Sequence, residues 1–196
     1  MPISYLSIVS SLKRIPRSGW ISHGISFQDV ESVADHSFST CALSMFLTDL
    51  EQDREVQVNA ERVLKIATLH DMAEALTFDI SKAYLSYLGK RGAIVKSEIE
   101  AAAWKHLTSG LPKELSRHYL RLQKEYVDNK TIEAQIAHAA DSLDILLQII
   151  DLRRRGYPLA VLKDLWDETA KKIQRMHIRS ARNMLRLIVK ENSLLS

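Results

Sequence analysis

The sequence predicts an all-α fold in a single domain, and three observations carry that prediction. Apolar residues recur at helical spacing along the chain, and no stretch alternates apolar and polar residues as a half-buried strand would. Six Gly and four Pro in 196 residues force few turns. Leu, Ala, Lys, Arg and Glu, all good helix formers, are abundant. A chain of this length can build one sizeable core, and no Pro-, Gly- or Ser-rich linker divides it. Residues 1–196 are therefore expected to form one domain.

Composition narrows the function. Hydrophobic residues make up 46% of the chain, a globular proportion. The single cysteine, Cys41, excludes an internal disulfide framework and suits a reducing cytoplasm. A net charge of +3 gives no argument for a nucleic-acid partner. No apolar run reaches the ~18–20 residues of a membrane span, and the start of the chain lacks the apolar segment of a signal peptide.

The elements follow in order. Leu6, Ile8, Val9 and Leu12 make a stripe for a first helix over residues 3–14, stopped by Pro16. Residues 15–31 read as a loop carrying an exposed-looking group, Arg17-Ser18-Gly19-Trp20, in which Trp20 either approaches a ligand or anchors the loop on the core. Ser32 and Asp35 have capping-box spacing and open a helix over 33–51. His36 then lies near the positive end of that helix, which disfavours a charged imidazolium and leaves the ring neutral, able to bind a metal. Asn59 is the expected N-cap of a helix over 60–73. Asp79-Ile80-Ser81 caps a short helix ended by Gly89, and Lys90, Arg91 and Gly92 read as a solvated turn. A polar-faced helix over 93–108 precedes Ser109-Gly110, and Pro112 starts an amphipathic helix to about Val127. The most apolar helix spans 130–155, with Arg153, Arg154 and Arg155 against its C-terminal dipole and Gly156 beyond. One helix or a helix pair fills 158–193.

The chemistry sits on that scaffold. His70, Asp71 and Glu74 fall within about one turn of helix, three groups able to bind a metal or move a proton. A site there needs further ligands from elsewhere. Asp141 belongs to a polar stripe with Asp144, Gln148 and Asp151. That stripe is either a solvent face or, on a central helix, a set of buried carboxylates. A buried carboxylate is costly unless paired or metal-bound.

In order along the chain these residues form a pattern. The pieces are Leu12 to Trp20, Glu31-Ser32-Val33-Ala34-Asp35-His36-Ser37, Leu69-His70-Asp71-Met72-Ala73-Glu74-Ala75-Leu76 and Asp79-Ile80, with Asp141 later. The pattern resembles the HD-domain metal-dependent phosphohydrolase superfamily, and within it the YfbR-type 5′-deoxynucleotidases with their archaeal and eukaryotic relatives. The resemblance covers about residues 5–165. It implies an all-α bundle in which His36, His70, Asp71 and Asp141 hold one divalent metal: Mn, Co, Zn, Fe or Mg. It also implies release of phosphate from (deoxy)nucleoside 5′-monophosphates, with Asp71 and Glu74 catalytic and Glu74 handling a proton. Arg17 is implied to bind phosphate through its planar fork, Trp20 to offer a face near the sugar or base, and Asp79 to face the sugar. A cytoplasmic homodimer is the implied state. Two departures stand out. Ser18-Gly19 separates Arg17 from Trp20, which are adjacent in bacterial members, and Phe78 stands where the family often carries Gly, reshaping the pocket.

Overall fold

The structure, a computed structural model, describes residues 3–194. Its helices are α1 (Ile3–Ser11), α2 (Ser18–Ser22), α3 (Val33–Gln52), α4 (Ala60–Leu69), α5 (Glu74–Thr77), α6 (Lys82–Ser86), α7 (Arg91–Thr108), α8 (Lys113–Asp128), α9 (Ile132–Arg154), α10 (Leu159–Gln174) and α11 (Arg179–Ser193). A 3₁₀ turn, Leu12–Arg14, extends α1. Among the described residues the one strand-like pairing is an isolated bridge between Pro16 and Ser32. The fold is all-α.

The caps set these boundaries. Ser32 and Asp35 bond reciprocally, the Ser32 N–H to Asp35 Oδ2 (2.9 Å) and the Asp35 N–H to Ser32 Oγ (3.1 Å). Asn59 Oδ1 accepts the Arg62 N–H at 3.0 Å and opens α4. Thr131 Oγ1 accepts the Ala134 N–H at 3.2 Å and opens α9. Gly156, at φ 99°, closes α9, with the Tyr157 N–H returning to the Leu152 carbonyl at 3.1 Å.

The chain divides into two compact units, Met1–Ser37 with Leu69–Lys124 and Phe38–Thr68 with Glu125–Ser196. In the first, α7 packs against α1, α5 and α6, and α2 against α6. Leu12, Ile15, Val33, Leu69, Trp104 and Leu107 are buried there. In the second, α10 and α11 pack on α9 and on each other. Leu143, Leu146, Ile149, Leu162 and Ile173 fill its core. Two buried acids fasten its helix ends. Glu51 Oε1 accepts the Ser180 N–H at 2.7 Å in the first turn of α11, where the helix dipole favours a carboxylate. Glu125 takes Arg62 Nε at 2.9 and 2.8 Å and the Thr131 hydroxyl at 2.7 Å, bonds that hold its carboxyl below the usual range.

Three local expectations are corrected, and one open alternative, a helix or a helix pair over 158–193, is decided. The loop over 15–31 contains the short helix α2. The helix begun at Ala60 ends at Leu69 instead of running on to residue 73. Residues 158–193 form a pair of helices, with the break at 175–178. Arg91 and Gly92 belong to the first turn of α7, not to a solvated turn. The reason for the last is a close approach: a Cβ on Gly92 would lie 2.3 Å from the carbonyl oxygen of Leu85.

Gly92→Ala tests that contact. Gly to Ala inside a helix ordinarily stabilises by up to ~1 kcal/mol. Here overpacking reverses the sign, with an expected loss of about 1–3 kcal/mol in urea unfolding. An unchanged or raised unfolding midpoint would contradict the close approach.

Candidate active site

A clamp on the backbone places the first groups. The Val33 N–H donates to the Ile15 carbonyl (2.8 Å) and the Arg17 N–H to the Glu31 carbonyl (3.0 Å). These bonds close the 17–31 loop at its base, with Arg17 on one side and the start of α3 on the other. His36, one turn into α3, is buried. Its N–H bonds the Ser32 carbonyl at 3.1 Å.

The early end of α4 places the next groups. Past Leu69 the backbone tightens: the Met72 N–H reaches the Leu69 carbonyl (3.1 Å) and the Glu74 N–H the Asp71 carbonyl (3.0 Å). On a continuous helix His70 and Asp71 would point roughly 100° apart. In the turn their tips meet. His70 Nε2 lies 3.2 Å from His36 Nε2 and 3.2 Å from Asp71 Oδ2, and His36 Nε2 lies 3.5 Å from Asp71 Oδ2.

This triangle fits a metal ion. With bonds of about 2.1 Å, two ligand atoms stand about 3.0 Å apart at a right angle and about 3.4 Å apart at the tetrahedral angle. The three observed separations fall at or near that range. The donors, two imidazole nitrogens and one carboxylate oxygen, suit a divalent transition metal.

Charge around the triangle is uneven. Arg17 Nη1 stands 2.8 Å from Asp71 Oδ2 and 3.7 Å from Glu74 Oε2. Burial works to raise the Asp71 carboxyl, but the fields of His70, Arg17 and His36 outweigh it and hold the group well below the usual carboxylate range. Glu74 goes the other way. Burial first, then the Asp71 and Asp79 charges, push its carboxyl well above the ordinary value against the pull of Arg17 and Lys96. Glu74 Oε2 is buried and has no hydrogen-bond partner among the described residues. Two carboxyl groups three residues apart are thus driven toward opposite protonation states.

The remaining expected residues are placed as follows. Asp79 Oδ2 accepts the Ser18 N–H at 2.7 Å, and Ser18 Oγ donates to the Asp79 carbonyl at 2.5 Å, so this acid fastens the residue beside Arg17. Trp20 is 4% exposed, as expected of a residue that anchors the loop on the core. Its Nε1–H donates to Glu31 Oε1 at 2.9 Å. Asp141 stands on α9 in the other unit, with Lys172 Nζ at 3.8 Å. One turn further along α9, Asp144 is the more deeply buried of the two, at 6% exposure. Phe78 has φ 58° and ψ 169° and is 67% exposed. That backbone region is close to glycine-only, and an L side chain there costs about 1–3 kcal/mol.

Two residues outside the sequence-derived site set, Glu31 and Lys96, act on these groups, and a third, Asp144, lies on α9 in the other unit. Glu31 receives Trp20. Asp144 is the buried member of the α9 stripe, and period alone does not separate it from its neighbours. Lys96, on α7, has its Nζ 3.4 Å from Glu100 Oε1, and its charge is felt at Glu74 and Asp71. A polar-faced helix gave no sign that this lysine faces the acids.

Comparison with known proteins gives a concordant result. The family profile described as HD domain matches residues 9–180. The human protein named 5′-deoxynucleotidase HDDC2 is 31% identical over 176 residues, covering 90% of this chain and 80% of the relative. Among solved structures, the PH0347 protein from Pyrococcus horikoshii superposes with a TM-score of 0.79 at 30% identity, covering 96% of this chain and 99% of that one. An HD-domain phosphohydrolase from Listeria innocua shares the fold with a TM-score of 0.74 at 24% identity, over 96% of this chain and 85% of that one. A profile that spans most of the sequence, together with relatives at this identity and coverage, makes the chain a member of the HD-domain family.

Proposed function

We propose that this chain is a metal-dependent phosphohydrolase that removes the 5′-phosphate of deoxynucleoside 5′-monophosphates. The observation that carries the reading is the meeting of His36, His70 and Asp71 at 3.2–3.5 Å, with Arg17 against the same carboxylate. The name 5′-deoxynucleotidase borne by the human relative supports the substrate class. A divalent metal in such a triangle, when bound, brings water toward a pKa of ~7 and polarises a phosphoryl oxygen.

The chain's own residues do the rest. Arg17 offers two guanidinium N–H groups to phosphate oxygens in a geometry lysine does not reproduce. Asp79 holds the Arg17 loop through Ser18. Trp20, buried against Glu31, shapes the substrate side by anchoring that loop. Hydrolysis breaks the bond from phosphorus to the 5′-oxygen and puts a water oxygen on phosphorus; the water gives up one proton, and the 5′-alkoxide takes one up. Glu74, whose environment favours the protonated form at Oε2, supplies it as general acid. His36, His70 and Asp71 hold one ion, and family order makes Asp141 the fourth ligand. Metal identity is a matter for reconstitution with Mn, Co, Zn, Fe or Mg.

The setting is proposed on smaller grounds. No helix among the described residues is long and apolar enough to cross a membrane, and the single free Cys41 suits a reducing cytoplasm. Phe38, Met45 and Phe46 expose apolar side chains on α3, which supports a homodimer.

Four measurements test these statements. Asp71→Ala should lose bound metal by about 10–100-fold or more, whereas Glu74→Gln should keep metal and lose about 10²–10⁴-fold in turnover of deoxynucleoside monophosphates. Asp141→Asn should lose metal as Asp71→Ala does while Asp144→Asn keeps it, read by elemental analysis; the reverse result would move the fourth ligand to Asp144.

Apo Glu74→Gln should melt higher than apo wild type near neutral pH. With a raised folded pKa, the unfolded state gives up its proton first as pH rises, so the carboxyl loses stability for the fold above its ordinary value near ~4.3. The gap should close as pH falls to that value, and equal melting curves at pH 7 would count against a buried, proton-holding Glu74. In sedimentation, wild type should run as a dimer, and Phe38→Glu with Phe46→Glu as a monomer. A monomeric wild type would remove the dimer.

A further inference from the structure

Phe78 combines two properties that rarely occur together. Its backbone, at φ 58° and ψ 169°, is one that glycine adopts freely and other residues resist. Its ring is 67% exposed, so burial does little to offset the strain. A lone exposed aromatic would call for no explanation; an exposed aromatic held in a glycine conformation does.

The surroundings say where the strain is held. The Phe78 N–H donates to the Glu74 carbonyl at 2.9 Å, and Thr77 Oγ1 donates to the Phe78 carbonyl at 3.0 Å. The next residue is Asp79, fastened to Ser18 through both its carboxylate and its carbonyl. Phe78 is therefore gripped between Glu74 and the acid that anchors the Arg17 loop. The backbone is pinned on both sides, and the ring is exposed. An exposed aromatic on the segment that joins Glu74 to Asp79 suits a flat, polarisable group, and a nucleotide carries one.

We propose that Phe78 is a specificity-determining residue, an exposed aromatic platform on which the nucleobase of the substrate stacks. The proposal rests on the nucleotide reading of the site. Stacking of a base on an aromatic side chain tolerates any base, so Phe78 separates nucleotides from base-free sugar phosphates and does not select one base.

The test compares a deoxynucleoside 5′-monophosphate with 2-deoxyribose 5-phosphate, which has no base, on Mn²⁺-loaded protein. Phe78→Gly and Phe78→Ala should raise KM and the calorimetric Kd for the nucleotide by about 5- to 100-fold. Both values for the base-free ester should stay within about twofold, the spread expected where no stacking is lost. Phe78→Trp should keep nucleotide affinity. Phe78→Gly should also raise the melting temperature, because glycine relieves the backbone. Tyr87, 89% exposed at an ordinary φ of −63°, is the control, and Tyr87→Ala should leave both substrates unchanged. Equal losses for the two esters, or no loss for the nucleotide, would overturn the platform. If wild type hydrolyses neither ester, the hydrolase reading fails, and the calorimetric comparison still decides the role of Phe78.

Discussion

One oxygen atom has three claimants. Asp71 Oδ2 lies 2.8 Å from a guanidinium nitrogen, 3.2 Å from one imidazole nitrogen and 3.5 Å from another. The convergence needs a chain that leaves its helix at the right place. Had α4 continued, His70 and Asp71 would diverge; because it ends at Leu69, they meet. It also needs α3 to begin where it does, since a start one residue later would rotate His36 by roughly 100°. The reciprocal bonds of Ser32 and Asp35 fix that start. Arg17 reaches the same oxygen from a loop whose base is closed by backbone bonds. Cap, break and clamp are three local devices serving one atom.

The pair Asp71 and Glu74 shows how a short segment acquires two chemistries. Both are carboxylic acids, and both are removed to a large extent from water. The difference lies in company. Two imidazoles and a guanidinium surround Asp71, and it stays ionised. Glu74 receives less of Arg17 and the full repulsion of Asp71, and its outer oxygen has no donor. A buried carboxyl oxygen without a hydrogen-bond partner destabilises a fold, and such groups gather where a reaction uses them.

Most of the fold was legible because its signals are local. Ser32 with Asp35, Asn59, and Gly156 after the arginines each act within a few residues, and each appears where the sequence puts it. The features that sequence did not reveal depend on residues far along the chain. Nothing in Leu69-His70-Asp71-Met72 resembles a breaker, for it contains neither Gly nor Pro. Gly92 looked like a turn residue because its real reason, the carbonyl of Leu85, lies on another helix. Lys96 on a charged helix and Glu31 in a loop were indistinguishable from solvated neighbours until packing brought Lys96 near the acids and Glu31 to Trp20. Of the candidate site, the grouping of His70, Asp71 and Glu74 was visible in their spacing, and its extension to His36 and Arg17 came through the family resemblance. Which carboxylate of α9 is buried was not visible, because Asp141 and Asp144 occupy equivalent places in the stripe.

The closed base of the 17–31 loop has a consequence for how such a protein diversifies. The Ile15–Val33 and Arg17–Glu31 bonds hold Arg17 and the start of α3 in register however the chain travels between them. The outer part, from Ser26 to Gln28, is exposed. Insertions there would lengthen the surface of the loop while the backbone bonds at its base keep Arg17 and the start of α3 in place. The loop is a socket: its tip can vary in length without disturbing the register of its two ends.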